Sequence, residues 1–235
     1  MRLSDNEIRQ RLLSLTDVGD VPPNFLELVQ RGEIPYDLEQ ALKKGHIIID
    51  PFPTDLNKAV SSSSIDLDFG NIIEVIRIPL EIVNIDGRSI IRRHTVDFRN
   101  PNSNARLLEN LRSIQVKEDG SWVRFRLNDE DTFELPTGLL VLAFTRQIIC
   151  IPNDLDASLQ GRSTLARKGI ANHITSDRFD AGFVGYLTME VLNQGLANVN
   201  IFPGMDFAAI SFNQLSSPAS VPYYKKIGAK FRGQH

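Results

Sequence analysis

Seven residues, Gly161-Arg162-Ser163-Thr164-Leu165-Ala166-Arg167, set two guanidinium groups and two hydroxyls on a turn that runs into a good helix former. A helix start offers unpaired N–H groups and a positive dipole end, so an anion such as phosphate suits it. Ser163 is placed either to cap that helix or to serve a site. The ordinary alternative for the heptapeptide is a capped helix with surface arginines. Downstream, Leu187-Thr188-Met189-Glu190-Val191-Leu192-Asn193 alternates as a strand, with Leu187, Met189 and Val191 on one face and Thr188, Glu190 and Leu192 on the other. A carboxylate withdrawn from water needs a partner, and partial burial moves carboxyls towards the range useful for a general base. An exposed glutamate on a sheet edge is the plain alternative for Glu190. Asp180, before Ala181-Gly182, is either an acceptor for a sugar hydroxyl or a turn residue. His173 reads as a packed core histidine.

Missing signatures narrow the chemistry. The chain has no Gly-x-x-x-x-Gly-Lys phosphate loop, no Gly-x-Ser-x-Gly elbow and no His-x-Glu with paired cysteines, so zinc hydrolysis in its usual forms is not expected. A net charge of -3 gives no broad field for nucleic acid, which points to a small ligand. Cys150 is the single cysteine, so an intrachain disulfide is excluded and a reducing cytoplasm is expected. No apolar run approaches the roughly 20 residues of a membrane span, and nothing points to export.

The elements that must position these groups divide near residue 46. Before it, Ser4 and Glu7 form a capping box with Ile8, Leu12 and Leu13 on one helical face. Phe25 to Gln30 and Tyr36 to Lys44 read as short helices introduced by prolines and ended by Gly32 and Gly45. After it, strands dominate: Ile65 to Phe69, stopping at Gly70-Asn71, then Leu139 to Phe144, Arg146 to Ile151 and Ile210 to Phe212. Asp86-Gly87 and Asp119-Gly120 read as hairpin turns. With 42% apolar residues over 235 positions, one domain plus an extension can bury a full core as an antiparallel barrel or sandwich.

In this order, the heptapeptide, His173-Ile174-Thr175, Arg178-Phe179-Asp180, Gly182 and Glu190 resemble the dCTP deaminases of the trimeric dUTPase superfamily. Met1 to Asp5 with Glu7-Ile8, Ile49 to Phe52 and Ser63 to Leu67 are similar to that family's opening. Pro203-Gly204-Met205, Leu215 to Ala219, Pro222-Tyr223 and Ala229 to Gln234 are similar to its close. The resemblance covers nearly the whole chain apart from about residues 14–44.

It implies a mainly β fold, a distorted jelly-roll β-barrel of dUTPase-like, β-clip type with short N-terminal helices. The whole chain, 1–235, would be one such domain: a helical part over 1–45 carrying the insertion at about 14–44, then a barrel core and tail over 46–235. It implies a homotrimer with sites between subunits, in the cytoplasm, without nucleic acid or membrane partners. The implied reaction is zinc-independent hydrolysis of dCTP to dUTP and ammonia, with Mg2+ bound through the triphosphate, supplying dUTP for dUMP and dTTP synthesis. Glu190 would be the base, Ser163 and Arg167 would hold the attacking water, and the Ser176 carbonyl would add an acceptor. Asp180 would accept the ribose 3'-hydroxyl, and Arg162, Ser163, Thr164, Tyr223, Lys230 and Gln234 would hold the triphosphate, with Arg178 also on the substrate. Feedback inhibition by dTTP is a family property that none of these residues demonstrates.

The chain departs from the family in places. Ser176 stands where alanine is usual after His-x-Thr. Asp177-Arg178 replaces the small glycine of the bifunctional deaminase-diphosphatases, and Arg178 matches the single-function enzymes. Asp180-Ala181-Gly182-Phe183 resembles the diphosphatase side, which keeps a bifunctional route from dCTP to dUMP and pyrophosphate open. The sequence ends at His235 without the glycine-rich arm of the dUTPases. A non-catalytic nucleotide-sensing module is a third reading. For the insertion, packing on the trimer rim is the plainest expectation, beside a higher-order contact or a partner.

Overall fold

The computed structural model describes residues 1–76, 80–85, 88–93, 115–116 and 122–233. The N-terminal part holds helix α1 (Asp5–Arg11), strand β1 (Leu12–Leu13), helices α2 (Phe25–Gln30) and α3 (Tyr36–Lys43) and strand β2 (Ile47–Asp50). Helix α4 (Leu56–Ala59) and strand β3 (Val60–Ser61) lead into the long strand β4 (Ser64–Ile76). Strands β5 (Leu80–Ile85), β6 (Arg88–Arg93), β7 (Gln115–Val116), β8 (Trp122–Arg126) and β9 (Phe133–Leu135) follow. Then come β10 (Leu140–Cys150), β11 (Leu155–Gly161), helix α5 (Ser163–Ala166), β12 (Ile170–Ala171), β13 (Arg178–Phe179), β14 (Val184–Asn193), β15 (Val199–Ile201) and β16 (Asp206–Gln214).

Among the described residues the fold is mainly β, with two principal sheets that share β4 beside the small β5–β6 and β9–β15 pairs. One side of β4 continues through β16 to β11 and β13, the other through β10 to β2 and β1, and β14 joins β10. Among the described residues this path stays open at β1 and β13, so the strands do not form a closed ring of ladders. Inward residues of both sheets, among them Ile65, Leu67, Leu159, Met189 and Phe212, form one buried cluster. Burying alternate residues of facing strands is what drives two such sheets together.

Several local expectations change. Leu12 and Leu13 leave the α1 helix, which ends at Arg11, and pair in parallel with Ile47 and Ile48 instead. Strand β4 does not stop at Gly70-Asn71. A Cβ at Gly70 would stand 2.6 Å from the Phe144 carbonyl oxygen, so glycine here admits a close crossing of β10 rather than ending the strand. The two strands expected over 139–151 are one, β10, with its register shifted between Phe144 and Ile148. Thr145 serves that irregularity: its hydroxyl donates to the Gln147 carbonyl (2.7 Å) and accepts the Leu187 N–H (3.0 Å). A backbone amide that the ladder cannot pair is thus satisfied at the point where β14 begins its run towards Glu190. The Asp86-Gly87 and Asp119-Gly120 turns lie outside the described residues, although β5 pairs with β6 and β7 with β8 as hairpins require.

Candidate active site

Glu190 sits on β14 opposite Leu142 of β10, two residues before Leu192 and Asn193, where β14 also pairs with β12. The burial of β14 alternates, so Leu187, Met189 and Val191 are buried while Thr188, Glu190 and Leu192 lie half-buried on the other face. The exposed-edge alternative for Glu190 is therefore overturned. After β12 the chain turns back across that face, and its backbone reaches the carboxylate: the N–H groups of Ile174 (2.9 Å) and Thr175 (3.2 Å) both donate to Glu190 Oε2. Oε1 has no protein partner among the described residues. Two amides on one oxygen fix the carboxylate's direction and leave the other oxygen for chemistry.

Around Glu190 lies a cavity of about 310 Å³, lined by Leu142, Ser176, Arg178, Phe179, Asp180, Phe183, Thr188, Tyr223 and Phe231. The size suits a small organic ligand. Phe179 and Phe183 meet edge to face at 5.1 Å, and Tyr223 stands 5.9 Å from Phe183, which gives one wall an aromatic character. Asp180 and Arg178 supply the charge. Arg178 is two-thirds exposed and pairs with Asp156 at 3.2 Å; Asp180 has Lys226 at 3.8 Å.

The turn that presents Asp180 depends on glycine. The Asp180 carbonyl accepts the Phe183 N–H (3.1 Å), and Gly182 has φ +80°. A Cβ there would stand 2.5 Å from Pro222 Cβ. The Ala181 and Gly182 carbonyls accept the Tyr223 (2.8 Å) and Tyr224 (3.2 Å) amides, so this turn also docks the C-terminal segment. Asp180 is thus a turn residue whose carboxylate remains at the cavity.

The heptapeptide is elsewhere in the chain. Arg162, not Ser163, occupies the cap position of α5, and no side chain caps that helix, so the capping role expected of Ser163 is overturned. Arg162 pairs with Asp66 (2.5 Å) and faces Asp206 at 3.8 Å, which compensates its charge within the chain. Beside it, burial raises the carboxyl of Asp68 above its ordinary value, against a hydrogen bond from Gln147 that lowers it. Arg167 lines a different hollow with Lys168, Gly195 and Asn198. A single chain therefore brings Ser176, Arg178, Asp180, Tyr223 and Glu190 together, while Arg162, Ser163, Thr164 and Arg167 do not line that cavity. Lys230 is exposed and Gln234 lies outside the described residues. His173 is half-buried rather than a core residue.

A family model described as dCTP deaminase-like matches residues 36–215. The chain belongs to that family. A dCTP deaminase of Thermomicrobium roseum is 37% identical over 198 residues, covering 84% of this chain and 87% of its own. A dCTP deaminase, dUMP-forming, of Dictyoglomus thermophilum is 34% identical over 198 residues, covering 84% and 88%. Among solved structures, the 2'-deoxycytidine 5'-triphosphate deaminase of Agrobacterium tumefaciens aligns with a TM-score of 0.49 at 16% identity. It covers 91% of this chain, which spans about half of that longer one (48%). The mainly β fold expected from the sequence is the fold of this chain.

Phe179, Phe183, Thr188 and Phe231 also line the cavity, and with the two backbone amides on Glu190 they go beyond the site residues expected from the sequence. Period two already placed Thr188 on the Glu190 face, so that residue had a signal. The amides had none, because a backbone donor is made by the path of the chain and not by residue type. No helix among the described residues is long and apolar enough to cross a membrane.

Proposed function

We propose that the protein is a dCTP deaminase, converting dCTP and water to dUTP and ammonia. The observation that carries the reading is the half-buried Glu190 carboxylate, oriented by the Ile174 and Thr175 amides within a cavity sized for a nucleoside. Glu190 takes a proton from water as the oxygen attacks C4 of cytosine, and returns it to the ring nitrogen N3. The C4–N4 bond then breaks, ammonia leaves with the remaining proton, and C4 keeps the new carbonyl oxygen. Cytosine C4 is a weak electrophile, so positioning and paired proton transfers by one carboxylate supply most of the acceleration.

The Ser176 carbonyl adds an acceptor beside the water. Only the backbone group is required of this position, so serine in place of alanine changes little. Asp180 accepts the ribose 3'-hydroxyl, and Arg178 and Tyr223 contact the nucleotide from the same cavity. Arg162, Ser163, Thr164 and Arg167 act from a neighbouring subunit, with Lys230 and Gln234 of the tail, so the working unit is a homotrimer. Their separation from Glu190 in one chain supports shared sites. Mg2+ enters as part of the substrate, held by triphosphate oxygens. We assign the protein to the cytoplasm, treat dTTP as a competitor for the same site, and read the chain as one dUTPase-like domain with an insertion at 14–44.

The second reading is the bifunctional enzyme that continues to dUMP and pyrophosphate. The Asp180-Ala181-Gly182-Phe183 turn and the dUMP-forming relative favour it. Product analysis after incubation with dCTP and Mg2+, with dUTP as a parallel substrate, separates the two. Accumulating dUTP and ammonia support the deaminase, dUMP and pyrophosphate support the second reading, and tight nucleotide binding with no product defeats both.

A further inference from the structure

Residues 14–44 contribute nothing to the chemistry above, yet they grip the C-terminal segment that supplies Tyr223 and Phe231 to the cavity's lining. Helices α2 and α3 pack on the outer face of β2, β10 and β14, where Phe25, Leu26, Leu38 and Leu42 build a second hydrophobic cluster with Val184 and Tyr224. Tyr224 comes from the far end of the chain and is only 1% exposed. Its hydroxyl accepts a hydrogen bond from Asn153 Nδ2 (3.1 Å), while the Asn153 N–H donates to the Leu42 carbonyl of α3 (3.2 Å).

Next to it, Lys225 pairs with Glu39 of α3 at 2.5 Å. A second anchor lies eight residues on. The Gln30 amide of α2 donates to the Gly233 carbonyl (2.7 Å), and the Gly233 N–H donates to the Val184 carbonyl of β14 (3.0 Å). Gly233 has φ +57°, and a Cβ there would stand 2.2 Å from the Leu26 carbonyl oxygen, so the seat on α2 accepts glycine and nothing larger. Just outside one anchor and just inside the other lie the two tail residues of the cavity, Tyr223 and Phe231, joined by the Phe231 N–H donating to Tyr223 Oη (3.3 Å).

We propose that residues 14–44 form a strap that holds the C-terminal segment closed over the cavity, with Gln30 and Glu39 as positioning residues for Tyr223 and Phe231. The proposal rests on the reading that this cavity is the nucleotide site. A tail held at both ends before substrate arrives loses less conformational freedom on binding, so the strap acts on affinity and not on the proton transfers.

The test is the full-length chain with Gln30→Ala, Lys225→Glu, or both. Lys225→Glu sets two carboxylates against each other at Glu39, and Lys225→Arg keeps the pair. Amide hydrogen exchange at Gly233 and Phe231, measured without nucleotide, should quicken about tenfold or more in the double variant, and KM for dCTP should rise by about tenfold while kcat stays within about twofold. Lys225→Arg should leave all three unchanged. Unchanged exchange, or faster exchange with an unchanged KM, overturns the strap. The exchange measurement needs no turnover, so failure of the deaminase reading and failure of the strap are seen separately. If the double variant does not fold, Glu39→Gln is read by the same measures.

Discussion

The Ile174 N–H donates to Glu190 Oε2 at 2.9 Å, and through this contact the loop after β12 sets the direction of the carboxylate on β14. Glu190→Gln keeps the shape but cannot take a proton. Turnover of dCTP should fall roughly 10²-fold to 10⁴-fold while nucleotide binding persists. Single-turnover kinetics together with equilibrium dCTP binding check this, and near-normal turnover would remove Glu190 from the mechanism.

The proposed homotrimer with sites shared between subunits predicts complementation. An inactive Glu190→Gln chain and an inactive Ser163→Ala chain, co-expressed in equal amounts, should assemble trimers in which about a quarter of the interfaces carry both intact residues. Recovery of about that fraction of wild-type turnover is expected. No recovery, with mixed trimers present, would place both residues in one subunit's site.

Asp180 lines the cavity from the turn that Gly182 closes. In the proposed role of Asp180 as acceptor for the ribose 3'-hydroxyl, Asp180→Asn removes a charged acceptor, a contact worth about 1.5–3 kcal/mol. A rise in KM for dCTP of about 10-fold or more with a smaller change in kcat is the expected result, read from steady-state kinetics. Equal loss in both parameters would assign Asp180 to the chemical step instead.

Gly182 combines φ +80° with a Cβ position 2.5 Å from Pro222 Cβ. Gly182→Ala should cost about 2 kcal/mol from the left-handed backbone, with the clash adding to it. For a chain of this size that lowers Tm by roughly 4–8 °C in a thermal melt. The tail, which docks on the same turn, should exchange faster in parallel.

The carboxyl of Glu39 is held below its ordinary value of 4.5, chiefly by the Lys225 hydrogen bond, against burial and with help from Lys43. A carboxyl depressed in the folded state contributes stability above its unfolded value and loses it as pH falls through the folded one. The difference in Tm between the wild type and Glu39→Gln should therefore be present at neutral pH and close in acid, below 4.5. A gap that stays constant down to low pH would mean the ion pair adds nothing.

Much of this protein was legible as a string. Alternation in Leu187–Asn193 placed Glu190 on the half-buried face, because side-chain direction in a strand has period two whatever it packs against. The capping box at Ser4 and Glu7, and the helices at Phe25–Gln30 and Tyr36–Lys43, follow from contacts within one turn. Other features depended on partners far away in sequence. Gly70 read as a strand end and is a crossing point, since only the approach of Phe144 shows why a side chain is forbidden there. Ser163 read as a cap, but the turn after β11 starts the helix one residue earlier. The amides on Glu190, the separation of Arg162 and Arg167 from its cavity, and the grip of α2 and α3 on the tail were decided by tertiary structure alone. They are relations between backbone paths, and residue types carry no record of where two distant stretches of backbone meet.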